Sequence, residues 1–412
     1  MPKVSVVIPT YNYARFLGQS LESVLNQTYK DFEIIIIDDG STDNTHELVS
    51  SYGDSRIRYV FQKNRGLARS RNLGIEIAQG ELIAFLDSDD VWLSQKLNRQ
   101  VTAFEKNVHL GMVFGQSELI DEKGDLLVGR GFMPAENLPF PTLYENLLGR
   151  NLIPGPSSVI LTKECLMKVG GFDHACGGVA DLDMWRRVAR EYACYEVPEI
   201  LTQIRVHGGS MTYSRRAYMA EGMIACILRA AAEVGPDDRY QPALKFAQQR
   251  LYTHASWYFL EDAVHDFQVK AVESEMANSE KALACWINIP GRSLSRANIS
   301  QQFDEIVESQ CRFFIGDNKN VRLALDGVDV ISRALQKKGY FDPKEERKYR
   351  NRGYSLVLLY ASQQSGLSDP WQARSYAWRA IFFEPKLIVN RKWIKVFLGK
   401  KITGQIIRLY KR

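Results

Sequence analysis

Hydrophobic and polar positions switch between two rhythms along the first half of the chain. Val4-Ser5-Val6-Val7-Ile8 is a short apolar run stopped by Pro9, which predicts a buried strand. Apolar positions then recur at Tyr13, Phe16, Leu17, Leu21, Val24 and Leu25, the spacing of one helix face, with Asn12 as its N-cap. Ile34-Ile35-Ile36-Ile37 is an unbroken β-branched run and predicts a strand covered on both faces, as in a parallel sheet. The polar turn Asp38-Asp39-Gly40-Ser41-Thr42-Asp43 follows, with Ser41 or Thr42 capping a helix to about Ser50. Residues 58–61 read as a strand, 67–78 as a helix and 82–86 as a strand entered through Gly80. This β-α-β-α-β-α-β order predicts an α/β domain, with a mostly parallel sheet and helices on both faces.

The last of these strands ends in Asp87-Ser88-Asp89-Asp90. Unpaired carboxylates cannot stay in the core, so they must emerge at the strand's C-terminal end, the edge where open α/β sheets bind ligands. Asp87 and Asp89 flank one residue and point the same way in extended backbone. Two hard oxygen donors side by side suit Mg²⁺ or Mn²⁺ carrying a diphosphate. The rival reading is a solvated acidic turn capping the next helix.

Beyond Trp92 a helix carrying Leu97, Val101 and Phe104 is expected, then a strand over residues 111–115. Residues 117–157 contain Pro134, Pro139, Pro141, Pro154 and Pro156 and read as a long substrate-binding loop. Val169-Gly170-Gly171-Phe172-Asp173 is a turn with a buried aromatic, and Asp181-Leu182-Asp183-Met184-Trp185 opens a helix.

From Arg216 the rhythm is helical. Helices are expected over 240–264, 301–314, 320–337, 345–364 and 372–383, the last with a weak tetratricopeptide-like pattern at Ala373, Ala377 and Ala380. Three segments follow: an α/β domain 1–214, a helical domain 215–385 and a basic amphipathic tail 386–412. The tail has no acidic residue and interleaves Arg391, Lys392, Lys395, Lys400 and Lys401 with Trp393, Ile394, Phe397, Ile402 and Ile406. It suits an interfacial helix on an anionic membrane or a basic helix packed on the helical domain. No base-reading motif accompanies it, so nucleic acid is not an expected partner.

Composition changes the picture in two places. The net charge of +5 conceals an acidic first part, residues 1–214 at net −6, and a basic remainder at net +11. Six cysteines without a Cys-x-x-Cys favour free thiols in a reducing cytosol over a disulfide or zinc framework. No signal peptide or transmembrane run is read, so a cytoplasmic location, peripheral on the membrane's inner face, is expected. Gly-x-Gly-x-x-Gly and Gly-x-x-x-x-Gly-Lys are both absent.

Taken in order, several motifs form one set. They are Val6-Val7-Ile8-Pro9-Thr10-Tyr11-Asn12, Asp38 to Asp43, Asn64-Arg65-Gly66 with Arg71-Asn72, Asp87 to Asp90, Gly170-Gly171-Phe172-Asp173, and Asp181 in Ala180-Asp181-Leu182-Asp183-Met184-Trp185. The set resembles the family-2 glycosyltransferases of the GT-A fold over residues 3–213, about half the chain. The resemblance implies a Rossmann-like mixed sheet followed by an α-helical C-terminal domain. It also implies inverting sugar transfer from a nucleotide-diphosphate sugar, a UDP-sugar above all, to a hydroxyl acceptor in polysaccharide or glycolipid assembly. The alternatives are transfer to a polyprenyl phosphate and a catalytically silent nucleotide-sugar-binding module.

Residue by residue, the resemblance places Pro9, Thr10, Tyr11, Asn12, Asp39, Asn64, Gly66, Arg71, Asp87, Ser88 and Asp89 at the donor. Tyr11 offers an aromatic face or packs under the sheet edge. Asp39 accepts from a base N–H or caps the next helix, and Arg71 reaches base or phosphate or stays a surface charge. Asp89, Asp87 and His207 are the implied metal ligands, His207 through Arg205-Val206-His207-Gly208-Gly209-Ser210-Met211-Thr212. Asp181 is the implied base, with a helix cap as its rival role and Asp183 in reserve. Ala180 departs from the usual Glu.

Overall fold

The computed structural model describes residues 1–132, 138–210, 216–236, 238–269, 271–289, 298–311 and 321–365. The chain divides into two units, Met1–Leu251 and Tyr252–Arg412. In the first, β1 (Val4–Thr10), α1 (Ala14–Leu25), β2 (Phe32–Asp38), α2 (Thr45–Ser50), β3 (Ile57–Phe61), α3 (Leu67–Ile77) and β4 (Leu82–Phe85) follow the expected alternation. Then come β5 (Val91–Trp92), α4 (Lys96–Lys106), β6 (Leu110–Ile120), β7 (Leu126–Phe132), α5 (Leu143–Leu147), β8 (Val159–Thr162), α6 (Lys163–Val169), α7 (Ala180–Glu191), β9 (Ala193–Arg205) and α8 (Arg216–Glu233).

The strands form one mixed sheet in the order β3-β2-β1-β4-β8-β6-β9-β5, with β7 added on β6. The first four strands run parallel. Beyond them β8 is antiparallel to both β4 and β6, while β6 and β9 are parallel. Every residue of β1 is buried, because it lies mid-sheet between β2 and β4. Val6, Ile8, Leu17, Leu21, Ile34, Ile36, Ala84 and Leu97 belong to one apolar cluster that joins sheet and helices. Gly74 lets α3 lie against β1, since a Cβ there would overlap Val7.

Four local expectations are corrected. β1 continues through Pro9, which lies opposite Ile37. The β1–β4 pairing ends at Val7 opposite Phe85, so the N–H that Pro9 lacks has no strand to meet. Asn12 does not cap α1. It adopts left-handed φ (56°), and its Oδ1 accepts from Thr42 N–H at 2.7 Å. Asp43, not Ser41 or Thr42, serves both helix starts: it accepts from Ala14 N–H at 3.0 Å and from Thr45 N–H at 3.2 Å. The long loop over 117–157 is in part β6 and β7, and β9 joins the sheet unannounced.

The second unit is helical among its described residues. It holds α9 (Gln241–Gln268) from Tyr252 on, α10 (Val272–Ile287), α11 (Ile299–Cys311), α12 (Val321–Lys337) and α13 (Pro343–Ser365). The sequence pattern missed α10, whose apolar positions are diluted by Glu273, Glu275, Asn278 and Ser279. The expected helix over 372–383 and the tail 386–412 lie outside the described residues. No described helix is long and apolar enough to cross a membrane.

Candidate active site

The turn after β4 sorts its three carboxylates. Asp90 is only 5% exposed and faces inward. It accepts from Ser157 Oγ at 2.6 Å and from Arg205 N–H at 3.0 Å. Burial first, then the charges of Asp89 and Asp87, push its carboxyl well above the usual range. Asp90 is thus a structural anchor. Ser157 Oγ also accepts from Asp87 N–H at 3.0 Å, so one hydroxyl fixes both ends of the turn. Ser88 tucks in, its carbonyl accepting from Ser20 Oγ at 3.0 Å. Asp87 and Asp89 remain partly exposed.

Arg71, on α3, is nearly buried and donates from Nη2 to Asp87 Oδ1 at 2.5 Å. Its guanidinium lies 5.3 Å from the Phe172 ring centroid, and its buried Nε has no partner among the described residues. Arg71 is therefore no surface charge. The next residue, Asn72, grips the Phe172 backbone twice: Nδ2 donates to Phe172 O at 2.9 Å, and Phe172 N–H donates to Oδ1 at 2.8 Å. The glycine before Phe172 is required by this contact, because a Cβ on Gly171 would stand 2.5 Å from Asn72 Oδ1.

Asp89 Oδ2 faces His207 Nε2 at 3.1 Å. Burial, with Asp87's charge second, raises the Asp89 carboxyl against the opposing pull of His207. Gly209 N–H donates to His207 Nδ1 at 3.2 Å, so Nδ1 is the acceptor nitrogen and Nε2 carries the proton offered to Asp89. In this arrangement Nε2 has no lone pair for a metal, and ligation by His207 requires the Gly209 bond to open. Tyr13, the N-cap of α1, and Phe16 within it pack on the imidazole, with ring centroids 5.6 and 4.9 Å away. Arg205 was not foreseen. It ties Asp89 O to the β6–β7 turn, donating from Nε to Asp89 O at 2.8 Å and from Nη1 to Asp121 O at 2.9 Å.

On the nucleotide side Tyr11 is 44% exposed, an aromatic face open to solvent. Pro9 and Thr10 end β1 beside it, and the buried Thr10 hydroxyl has no partner among the described residues. Asp39 accepts from Gln62 Nε2 at 2.6 Å and from the N–H groups of Arg65 and Gly66, each at 2.8 Å. It thereby shapes the Asn64-Arg65-Gly66 loop and the start of α3 instead of capping α2. Asn64 and Gly66 are exposed on that loop.

Asp181 lies in the first turn of α7 and is partly exposed. Its Oδ1 accepts from Leu182 N–H at 2.8 Å and its Oδ2 from Asn151 Nδ2 at 2.9 Å. Burial chiefly raises its carboxyl, against the pull of Leu182 N–H and the charge of Arg71, and the stretch from Asn151 to Ser157 links it to the Asp87 turn. The N-cap of α7 is Val179, so Asp181 is not the cap. Asp183 is fully buried, with its oxygens 2.9 Å from Arg186 Nη2 and 2.8 Å from Arg187 Nε. It cannot meet an acceptor. Asn151 and Ser157 lay hidden in the irregular segment, where no spacing marks them.

Among the described residues no three metal-binding side chains cluster. The donor set nevertheless fits a hard divalent cation. Mg²⁺ and its like are commonly held by one or two carboxylates, the substrate's phosphates completing the shell.

The fold is a mixed, mostly parallel α/β sheet with a carboxylate turn at the C-terminal edge of β4. Residues 5–164 match the model of glycosyl transferase family 2. An uncharacterized glycosyltransferase of Methanocaldococcus jannaschii is 34% identical over 211 residues, covering 50% of this chain and 71% of that protein. The Escherichia coli protein named UDP-Glc:alpha-D-GlcNAc-diphosphoundecaprenol beta-1,3-glucosyltransferase WfgD is 36% identical over 144 residues, covering 35% of this chain and 55% of that protein. Staphylococcus aureus TarS 1-349, solved with UDP-GlcNAc, shares the fold at a TM-score of 0.53 and 16% identity, covering 82% of this chain and 92% of that one. The chain belongs to glycosyl transferase family 2. It spans about a third of the length of two rickettsial relatives, 36% and 31%.

Proposed function

We propose that the protein is an inverting glycosyltransferase, dependent on Mg²⁺ or Mn²⁺, that moves a sugar from a nucleotide-diphosphate sugar to a hydroxyl of a glycolipid or polysaccharide acceptor. One observation carries this: Asp87 with Arg71 and Asp89 with His207 stand in one turn at the C-terminal edge of β4, and the stretch 151–157 links that turn to Asp181. Asp89, with Asp87, would hold the cation. When bound, it supplies Lewis-acid compensation for the departing diphosphate. Tyr11 stacks on the base, and Asp39 keeps the Asn64–Gly66 loop shaped around it.

Transfer needs one new bond and one broken bond. The acceptor oxygen attacks the anomeric carbon, the bond from that carbon to the phosphate oxygen breaks, and the nucleoside diphosphate leaves with the electron pair. Asp181 takes the acceptor proton. Its raised affinity for protons suits a base operating near neutral pH. The UDP donor and a diphospholipid-linked acceptor are favoured by the name of the Escherichia coli relative.

The test measures nucleoside diphosphate release from UDP-glucose, UDP-GlcNAc and GDP-mannose, with and without Mn²⁺, in the presence of a GlcNAc-diphosphate lipid analogue. Mn²⁺-dependent release from a UDP-sugar with a glycosylated product is expected. Tight UDP binding with no release from any donor would instead make the protein a binding module, the outcome Ala180 invites.

A further inference from the structure

Asn151 makes no direct part of the donor site, yet its contacts are specific. It follows α5 in an irregular stretch leading to β8. Its Oδ1 accepts from Ile153 N–H at 3.2 Å, and its Nδ2 donates to Asp181 Oδ2 at 2.9 Å. The first bond fixes which way the amide points, because the oxygen end is already taken by a donor. The amino end must therefore face Asp181. Leu182 N–H holds the other carboxylate oxygen, so both oxygens are tethered and the carboxylate plane is set. Each oxygen keeps a second acceptor position for an incoming hydroxyl.

The stretch that follows Asn151 is anchored in the core. Ile153, Ser157 and Ser158 are fully buried. Ser157, six residues on, accepts Asp87 N–H and donates to Asp90. The stretch 151–157 thus touches the carboxylate turn at one end and Asp181 at the other. Ala180, the neighbour of Asp181, is buried and offers no polar group to share the task.

We infer that Asn151 is a positioning residue for Asp181, holding its carboxylate toward the acceptor at a spacing from Asp87 set by the stretch 151–157. The inference rests on the proposed role of Asp181 as base. A misplaced base loses rate steeply, so Asn151→Ala should lower the turnover number by roughly 10- to 100-fold. Donor affinity should stay within about twofold, because no donor-binding group is touched.

The experiment uses the full chain, Mn²⁺ and whichever of UDP-glucose, UDP-GlcNAc and GDP-mannose gives the highest wild-type nucleoside diphosphate release, water included as acceptor. Asn151→Asp is the second variant: it keeps the shape and the acceptor for Ile153 N–H, and replaces the donor to Asp181 with a carboxylate that repels it. Both variants should show the turnover loss, with unchanged donor KM. In a double-mutant cycle, Asn151→Asp should cost Asp181→Asn almost nothing further, because the residue acts through Asp181. Wild-type turnover in Asn151→Asp, or an equal loss in both backgrounds, overturns the inference while leaving the base intact. Wild-type turnover in Asp181→Asn overturns the base reading itself, and this inference with it.

Discussion

Asp89 Oδ2 and His207 Nε2 stand 3.1 Å apart across 118 positions of the chain. The turn after β4 and the segment after β9 are brought together by Arg205, which binds Asp89 O, and by Tyr13, whose hydroxyl holds Gly209 O at 3.2 Å. Asp89 is thereby presented to the cleft by groups that engage one of its oxygens and its backbone. Asp89→Ala should abolish nucleoside diphosphate release and remove the Mn²⁺-dependent rise in Tm with UDP, because the cation's anchor is gone. The unliganded Tm should hold, since the carboxyl is costly to bury in its charged form. An unchanged Mn²⁺ effect on UDP binding would remove Asp89 from the metal site.

Gly171→Ala should cost about 1–3 kcal/mol of stability, because the new methyl displaces an Asn72 amide held by two hydrogen bonds. Denaturant unfolding reads this directly. Activity should fall with it, since Phe172 lies under Arg71. A neutral Gly171→Ala would show that Asn72 is free to swing away.

Lys96 tests the core below the site. It is fully buried, 4.1 Å from the Trp92 ring centroid, and donates to Gln100 Oε1 at 2.6 Å. Burial holds its amine well below the ordinary 10.5. Between that lowered value and 10.5 the unfolded chain binds more protons than the native one, so this residue's contribution to stability rises with pH across the window. Wild-type stability should therefore gain on that of Lys96→Met as pH rises from about 7 toward 10, the usual lysine range. A stability difference that stays flat over that range contradicts a depressed Lys96.

Much of this was legible in the chain. The strands carrying Ile34–Ile37 and Leu82–Phe85 are apolar runs that a parallel sheet buries whichever way each side chain points. Asp87, Asp89 and Arg71 stand in short motifs that the resemblance places at one site, and the Arg71–Asp87 bond joins two of these motifs. Other features depend on distant partners and leave no local pattern. β9 exposes Tyr195, Pro198 and Glu199 and shows no clean alternation, yet β6 pairs with it. Asp90 stands in the same carboxylate cluster, but Ser157, 67 positions away, claims it. Asn12 has the residue type of a cap, but Thr42 draws its side chain into a bridge between two loops.

The tail, residues 386–412, lies outside the described residues, and its basic and apolar residues carry a separate proposal: docking on anionic lipid. A chain ending near Pro385 should lose binding to phosphatidylglycerol vesicles, as read by co-sedimentation, and keep donor turnover. Equal sedimentation of both chains would reject an interfacial tail.

The central claim is that Asp181 takes the acceptor proton across the cleft from a diphosphate held at Asp87 and Asp89. The most direct measurement is turnover of Asp181→Asn beside its donor affinity and Tm. Asn preserves size and accepts the Leu182 N–H, but it has no basicity. Turnover should fall by roughly 10²–10⁴, the usual worth of a positioned base, while donor affinity and Tm stay near wild type. Near-normal turnover in Asp181→Asn would contradict the account.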